Sequence, residues 1–181
     1  MGIRLDTNSL ELIALTPAQL HQWLRDVSNL EKELSCHIST PVGFFRDIVC
    51  AQLEFTQKDP QNYLWHSFWL LVRKSDRVAV GSADFKTIPD ERGEVEIGYG
   101  LDQEFEHNGY MTEAVQAMCS WAMQQEGVLA VTAETELDGA ASQRVLIRCG
   151  FLEESRAHTV WWKLTPKPAA LFEECSISTT E

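Results

Sequence analysis

The chain has 181 residues, 44% of them hydrophobic, and a formal net charge of −12 at pH 7. That is enough for one globular domain with its own core, and too apolar for a disordered one. No apolar run approaches the roughly 18 residues a bilayer span needs, and no Lys/Arg cluster is available to neutralise phosphates, so neither a membrane nor a nucleic acid is expected as a partner.

"SLELIALT" (9–16) alternates and predicts a first strand. Thr16, Pro17 and Gln19 form a capping-box helix start with proline at the first helical position, and the helix runs to about Asp26. Ser28 with Glu31 repeats the capping signal for a short second helix. Thr40-Pro41 predicts a third start, leading into "GFFRDIVCAQLEF". "HSFWLLVRK" (66–74), "VAVGSADFKTI" (78–88) and "EVEIGYGL" (94–101) predict three strands of a meander, separated by the turns "SDR" and "PDERG". From residue 109 to about 126 the spacing is helical, with Ala114, Met118, Trp121 and Ala122 on one face. "VLAVTAETE" (128–136) is a buried-type strand. "AASQRVLIRC" (140–149) is a helix ended by Gly150, and "FLEES" and "TVWWKL" are the last strands. Alternation puts Trp161 and Trp162 on opposite faces, which makes one of them a candidate for lining a cleft. The tail from Thr165 has no period and is expected to be irregular and partly mobile. The element order predicts a mixed α/β domain: an antiparallel meander, then a strand–helix–strand crossover with a parallel pair.

The five cysteines (Cys36, Cys50, Cys119, Cys149, Cys175) are odd in number and form no C-x-x-C pair, which predicts reduced thiols in a cytoplasm. "MGIRLDTNSLEL" has no signal-peptide core, and Asp6 breaks a myristoylation pattern. The five histidines show no metal spacing, so no metal is expected. A P-loop and a G-x-S-x-G elbow are absent. Gln103 stands where a dinucleotide fingerprint starting at Gly98 and Gly100 needs its third glycine.

Two local features remain. In "EFEHNGYMTEAV" (104–115) a glycine sits directly before an amphipathic helix. Either Asn108 caps a surface helix, or the helix N-terminus and Gly109 form an anion cradle of free N–H groups. In "EVEIGYGL" the residues Glu94, Glu96, Gly98 and Gly100 share one strand face, so two carboxylates are followed by two bare backbone positions. Glycines inside a strand often mark close approach by a ligand or another backbone.

"VEIGYGL", "EHNGYMTEAV" and "GAASQRVLIRCGF", in this order, resemble the core of the GNAT superfamily of N-acetyltransferases. The branch most similar is that of the ribosomal-protein N-terminal acetyltransferases. The likeness covers about residues 78–163. It implies one GNAT-like domain over 1–164, with a V-shaped cofactor cleft. Residues 1–65 would supply a strand and acceptor-side helices, 66–164 the cofactor core, and 165–181 an irregular tail. It implies acetyl-coenzyme A as cosubstrate, its pyrophosphate on the turn of His107, Asn108, Gly109, Tyr110, Met111 and Thr112. The backbone of Tyr99, Gly100 and Leu101 would pair with the pantetheine arm. It implies Glu96 as the general base, acting through one water, with Glu94 a weaker candidate. The family's tyrosine position holds Leu146, and the serine of the similar branch is Ser142, whose hydroxyl would serve the leaving thiolate. Arg144 and Arg148 are candidates for coenzyme A phosphates, although surface charge is the safer reading for both.

The expected function is transfer of an acetyl group to a primary amine, on a small molecule or a peptide, by a monomer or homodimer. The alternative is an inactive acyl-coenzyme A-binding module of the same fold, to which Glu106, Gly139 and Leu146 point as departures from the family pattern.

Overall fold

The computed structural model describes residues 2–166. The expected tail therefore lies, apart from Thr165 and Pro166, outside the described residues, as does Cys175. Eight strands form one sheet: β1 (Arg4–Asp6), β2 (Leu10–Ala14), β3 (Phe68–Arg73), β4 (Val78–Phe85), β5 (Glu94–Leu101), β6 (Ala130–Glu136), β7 (Leu152–Arg156) and β8 (Thr159–Leu164). Five helices cover it: α1 (Pro17–Arg25), α2 (Val27–Leu34), α3 (Gly43–Lys58), α4 (Tyr110–Ala122) and α5 (Ala140–Arg148). The strand order is β1-β2-β3-β4-β5-β6-β8-β7. All pairs are antiparallel except β5–β6, joined by the α4 crossover. This is the mixed α/β architecture that the element order predicts.

Period-2 alternation sorts the sheet's side chains onto two cores. On one face Ile13, Leu70 and Val72 pack with Leu20, Trp23, Leu30 and Val49 from α1–α3. On the other, Leu12, Trp69, Leu71 and Ile97 pack with Ala114, Met118 and Ala122 of α4 and with Leu146 of α5. The unbroken apolar run "FWLL" in β3 is explained by this burial on both faces, as is its lack of alternation. Full burial of each such side chain contributes about 1.5–3 kcal/mol. The alanines of α4 let that helix sit close to the sheet.

Several boundaries differ from the sequence expectation. The Thr16 capping box forms as expected, with Gln19 as its reciprocal partner. The second helix is capped by Asp26, whose carboxylate accepts from the Asn29 N–H at 3.1 Å, and not by Ser28. Asp26 closes α1 and opens α2, so the two helices share one residue at the joint. The third helix starts at Gly43 after Val42, without a side-chain cap, and not at Thr40-Pro41. The strands expected over 66–74, 78–88 and 128–136 are shorter, and the helix expected to run to about 126 ends at Ala122. Strand β1 and a 3-10 turn over Pro60–Trp65 are not expected from the sequence. A three-residue polar edge strand carries no period to read. Trp162 is core, its indole N–H donating to Thr135 Oγ1 at 3.0 Å, and Trp161 lines neither of the two cavities described below.

Candidate active site

The sheet opens at β5. Glu94, Val95 and Glu96 pair with Ala130, Val131 and Thr132 of β6, and there the parallel ladder ends. Residues 97–101 pair only with β4, so the edge of β5 that faces β6 is unpaired along this length among the described residues. An unpaired strand edge is a template for an extended chain. The glycines keep this region thin. A Cβ on Gly81 would stand 2.2 Å from the Gly100 carbonyl oxygen, and one on Gly98 would stand 2.7 Å from Asp84 Oδ1. A Cβ on Gly100 would meet nothing within 4 Å, because that position borders open space.

Beside this opening lies the start of α4. Gly109 is its N-cap at φ +81°, a left-handed conformation that favours glycine, and no side chain caps the helix. The Asn108 amide donates to the carbonyls of Phe105 (3.1 Å) and Glu106 (2.9 Å), so it ties down the preceding loop and does not cap the helix. No described group accepts from the N–H of Tyr110, Met111 or Thr112. These free donors, at the positive end of the helix dipole, suit an anion. Met111 turns its side chain into the core, so its bulk does not block the turn. Glu106 is exposed, its carboxylate 3.9 Å from His107 Nε2.

A cavity of about 410 Å³ lies over this helix start. Its walls are the 106–112 turn, the Tyr99–Leu101 backbone, and Ser142, Arg144 and Arg148 of α5. Neither arginine has an ion-pair partner among the described residues. The sequence favours plain surface charge for both arginines; helical spacing puts residues 144 and 148 on one face, and the structure brings that face to this cavity. Gly139 is the N-cap of α5, and Leu146 is fully buried in the core.

A second cavity, of about 730 Å³, lies on the other side of β5, under α1 and α3. The two share Tyr99, Gly100 and Leu101. Tyr99 spans the junction. Its phenol donates to the Ser142 carbonyl at 3.3 Å, and burial pushes its pKa up, so it stays protonated. The Glu96 carboxylate is ion-paired with Lys86 of the segment after β4. Glu94 is tied to Lys163 of β8 (2.6 Å) and Arg92 (3.1 Å). The larger cavity also holds a carboxyl group that sequence reasoning missed. Asp84 is buried opposite Gly98, and burial raises its pKa from 3.8 to about 6. The available signal was an Asp inside the apolar strand "VAVGSADF", placed by alternation on the same face as Ser82. Trp23, Phe45 and Ile48 line this cavity with apolar surface. Among the described residues, no group of three or more His, Cys, Asp or Glu side chains could hold a metal.

The sheet thus splits beside an uncapped helix, with a cavity on each side of β5. The chain belongs to the GNAT acetyltransferases: residues 11–152 match the model of the acetyltransferase (GNAT) domain. It is 29% identical over 153 residues to an uncharacterized N-acetyltransferase, YjdG, of Bacillus subtilis (strain 168), covering 83% of this chain and 86% of that one. Its fold is similar to that of the ribosomal-protein-S5-alanine acetyltransferase from Vibrio fischeri (TM-score 0.65, 15% identity, 90% and 96% of the two chains). It is also similar to RimL, a ribosomal L7/L12 alpha-N-protein acetyltransferase, in complex with coenzyme A (TM-score 0.61, 20% identity, 90% and 98%).

Proposed function

We propose that this protein transfers the acetyl group of acetyl-coenzyme A to a primary amine. The observation that supports this most strongly is the sharing of Tyr99, Gly100 and Leu101 by two cavities of different chemistry. One is polar, with free helix N–H groups and two arginines. The other is walled largely by aromatic and aliphatic groups, with the buried Asp84 carboxyl at its floor. An acyl carrier and an amine held in them would meet at β5.

The residues present fit the carrier. The N–H groups of Tyr110, Met111 and Thr112 would hold its pyrophosphate, with Gly109 allowing close approach and His107 and Asn108 shaping the turn. Arg144 and Arg148 would pair with its phosphates. The edge at Tyr99, Gly100 and Leu101 would hydrogen-bond its amide arm as an added strand. When bound, acetyl-coenzyme A supplies an acetyl thioester open to attack by an amine.

The amine must be neutral to attack, and the reference pKa is about 8 for an α-amine and about 10.4 for lysine. Glu96, on the acceptor side of β5, would take up the proton through one water, with Lys86 orienting its carboxylate. Ser142, at the start of α5 on the carrier side, would offer its hydroxyl to the leaving sulfur. The fold neighbours named for ribosomal proteins make a protein N-terminus one acceptor to try first. Titration with acetyl-coenzyme A by calorimetry, followed by thiol release across an amine panel, tests the reading. Absence of binding would refute it, and binding without thiol release would favour the inactive module.

A further inference from the structure

The floor of the larger cavity carries a polar pair in an otherwise apolar place. Asp84 and Gln52 are each more than nine-tenths buried and line the same cavity. Gln52 Nε2 donates to Asp84 Oδ2 at 2.9 Å and lies 3.4 Å from the Phe85 carbonyl. Two acceptors on one side fix which end of the amide is nitrogen. Gln52 Oε1 is therefore a buried acceptor, and no described group donates to it. Oδ1 of Asp84 likewise receives no hydrogen bond from a described residue. Gly98 leaves the space beside that oxygen clear, since a Cβ there would stand 2.7 Å away. A buried acceptor without a donor is costly to keep, so Gln52 Oε1 asks for a partner, while Asp84 Oδ1 keeps some exposure to the cavity and is free to accept from a ligand.

The charges around the pair are few. Lys86 and Glu96 lie next to it on the sheet face and are paired with each other. The ammonium of Lys86 is thus engaged, and one carboxylate remains without a cation. The walls above are apolar: Trp23, Ile38, Phe45, Ile48, Phe68 and Leu70. Trp23, Phe45 and Phe68 form a mutual edge-to-face cluster with centroids 5.4–5.8 Å apart. The mouth mixes apolar Val42, 71% exposed, with exposed Ser39, Thr40 and Asp102, and Asp102 is a second carboxylate on this cavity with no ion-pair partner among the described residues.

We propose that Asp84 and Gln52 seat the ammonium group of the acceptor, and that the acceptor is a cationic primary amine with an aromatic or branched apolar group directly behind the nitrogen. The ammonium brings three donors to two unpaired oxygens, and the apolar group fills the cage of Trp23, Phe45 and Phe68. Asp84 is a specificity-determining residue, distinct from the proton acceptor assigned to Glu96. Gln52 is a positioning residue that holds the carboxylate. A small amine and a peptide N-terminus can both present this chemistry. The inference rests on the acetyltransferase reading above, and it is tested separately from it.

The test uses the full chain and four probes in calorimetric titration: 2-phenylethylamine, ethanolamine, 2-phenylethanol, and the peptide amide Phe-Ala-Ala. Each is titrated with and without coenzyme A, and a coenzyme A titration is run alone. The expected result is saturable binding of 2-phenylethylamine or the peptide, at least 10-fold tighter than ethanolamine, and none of 2-phenylethanol. The tighter of the first and last probes identifies the source of the acceptor. Asp84→Asn should weaken amine binding, and raise the amine KM in thiol release, by at least 10-fold, while coenzyme A affinity stays within twofold. Gln52→Leu should weaken amine binding by a smaller factor in the same direction. Failure of coenzyme A to bind would count against the acetyltransferase reading alone, because the amine titrations without it still report on the seat. The proposal is overturned if neither amine-bearing aromatic probe binds, if 2-phenylethanol binds equally, or if Asp84→Asn leaves amine affinity within twofold.

Discussion

Replacing Asp84 by Asn should make the protein more stable at neutral pH, and the gain should vanish in acid. Burial raises the Asp84 carboxyl from 3.8 to about 6, while Gln52 and Lys86 partly oppose the rise and Glu96 adds to it. A rise of one pH unit in a carboxyl's midpoint is worth about 1.4 kcal/mol, so holding this group ionised costs on the order of 3 kcal/mol at pH 8. The folded state binds the proton more tightly than the unfolded chain. Stability from this group is therefore fully present below about pH 4 and is lost as pH rises through about 6. Asn keeps the acceptor that Gln52 Nε2 needs and carries no charge, but it places a new N–H₂ in the cavity, so a gain of about 1–3 kcal/mol is expected. For a chain of this size that is roughly 2–12 °C in Tm, at about 2–4 °C per kcal/mol. Paired urea or thermal melts of both proteins from pH 4.5 to 8 measure it. The other carboxylates cancel in the difference between the two curves. A variant less stable than the parent at pH 8, or a difference independent of pH, would show the reasoning to be wrong.

Three further outcomes are expected. Gly109→Ala puts a side chain at φ +81° with no atom to clash against, so the penalty is backbone strain of about 1–2 kcal/mol; a lower Tm with several-fold weaker acetyl-coenzyme A binding is expected, and an unchanged affinity would count against the cradle. Glu96→Gln should lower kcat by roughly 10²-fold or more, with acetyl-coenzyme A affinity unaltered; an unchanged rate removes Glu96 as the base. The double variant Arg144→Ala with Arg148→Ala should weaken coenzyme A binding roughly 10-fold at low salt and flatten its dependence on ionic strength; the same salt slope as the parent would mean that these arginines do not meet phosphate.

Much of this fold was legible because its signals are local. The strand over 94–101 follows the expected bounds, since turn residues stand before it and its apolar and polar residues alternate. The Thr16 capping box depends on residues three apart. The helix after Gly109 and the Gly150 stop, at φ +90°, depend on single glycines. The misread helix starts show the limit of local reading. Ser28 and Thr40-Pro41 have the right residue types, but Asp26 was better placed to accept from a free N–H, and α3 begins where its packing on the sheet begins, with no cap at all. In the site, a cradle at Gly109 could be raised from the sequence, but Asn108 offered a competing cap. Only the direction of the Asn108 amide, onto the Phe105 and Glu106 carbonyls, removes that cap and leaves the helix N–H groups free.

The sequence by itself determined the order of the five helices and of strands β2 to β8, the thin double-glycine strand, and a carboxylate face containing Glu96. These follow from period and backbone freedom, which are properties of neighbours along the chain. The tertiary structure alone decided that β5 leaves β6 after Glu96, that one short backbone segment serves two cavities, and that Gln52 of α3 meets Asp84 of β4. Those facts depend on sheet register and helix docking between residues tens of positions apart. The burial that gives Asp84 its unusual carboxyl is likewise a property of what packs over it.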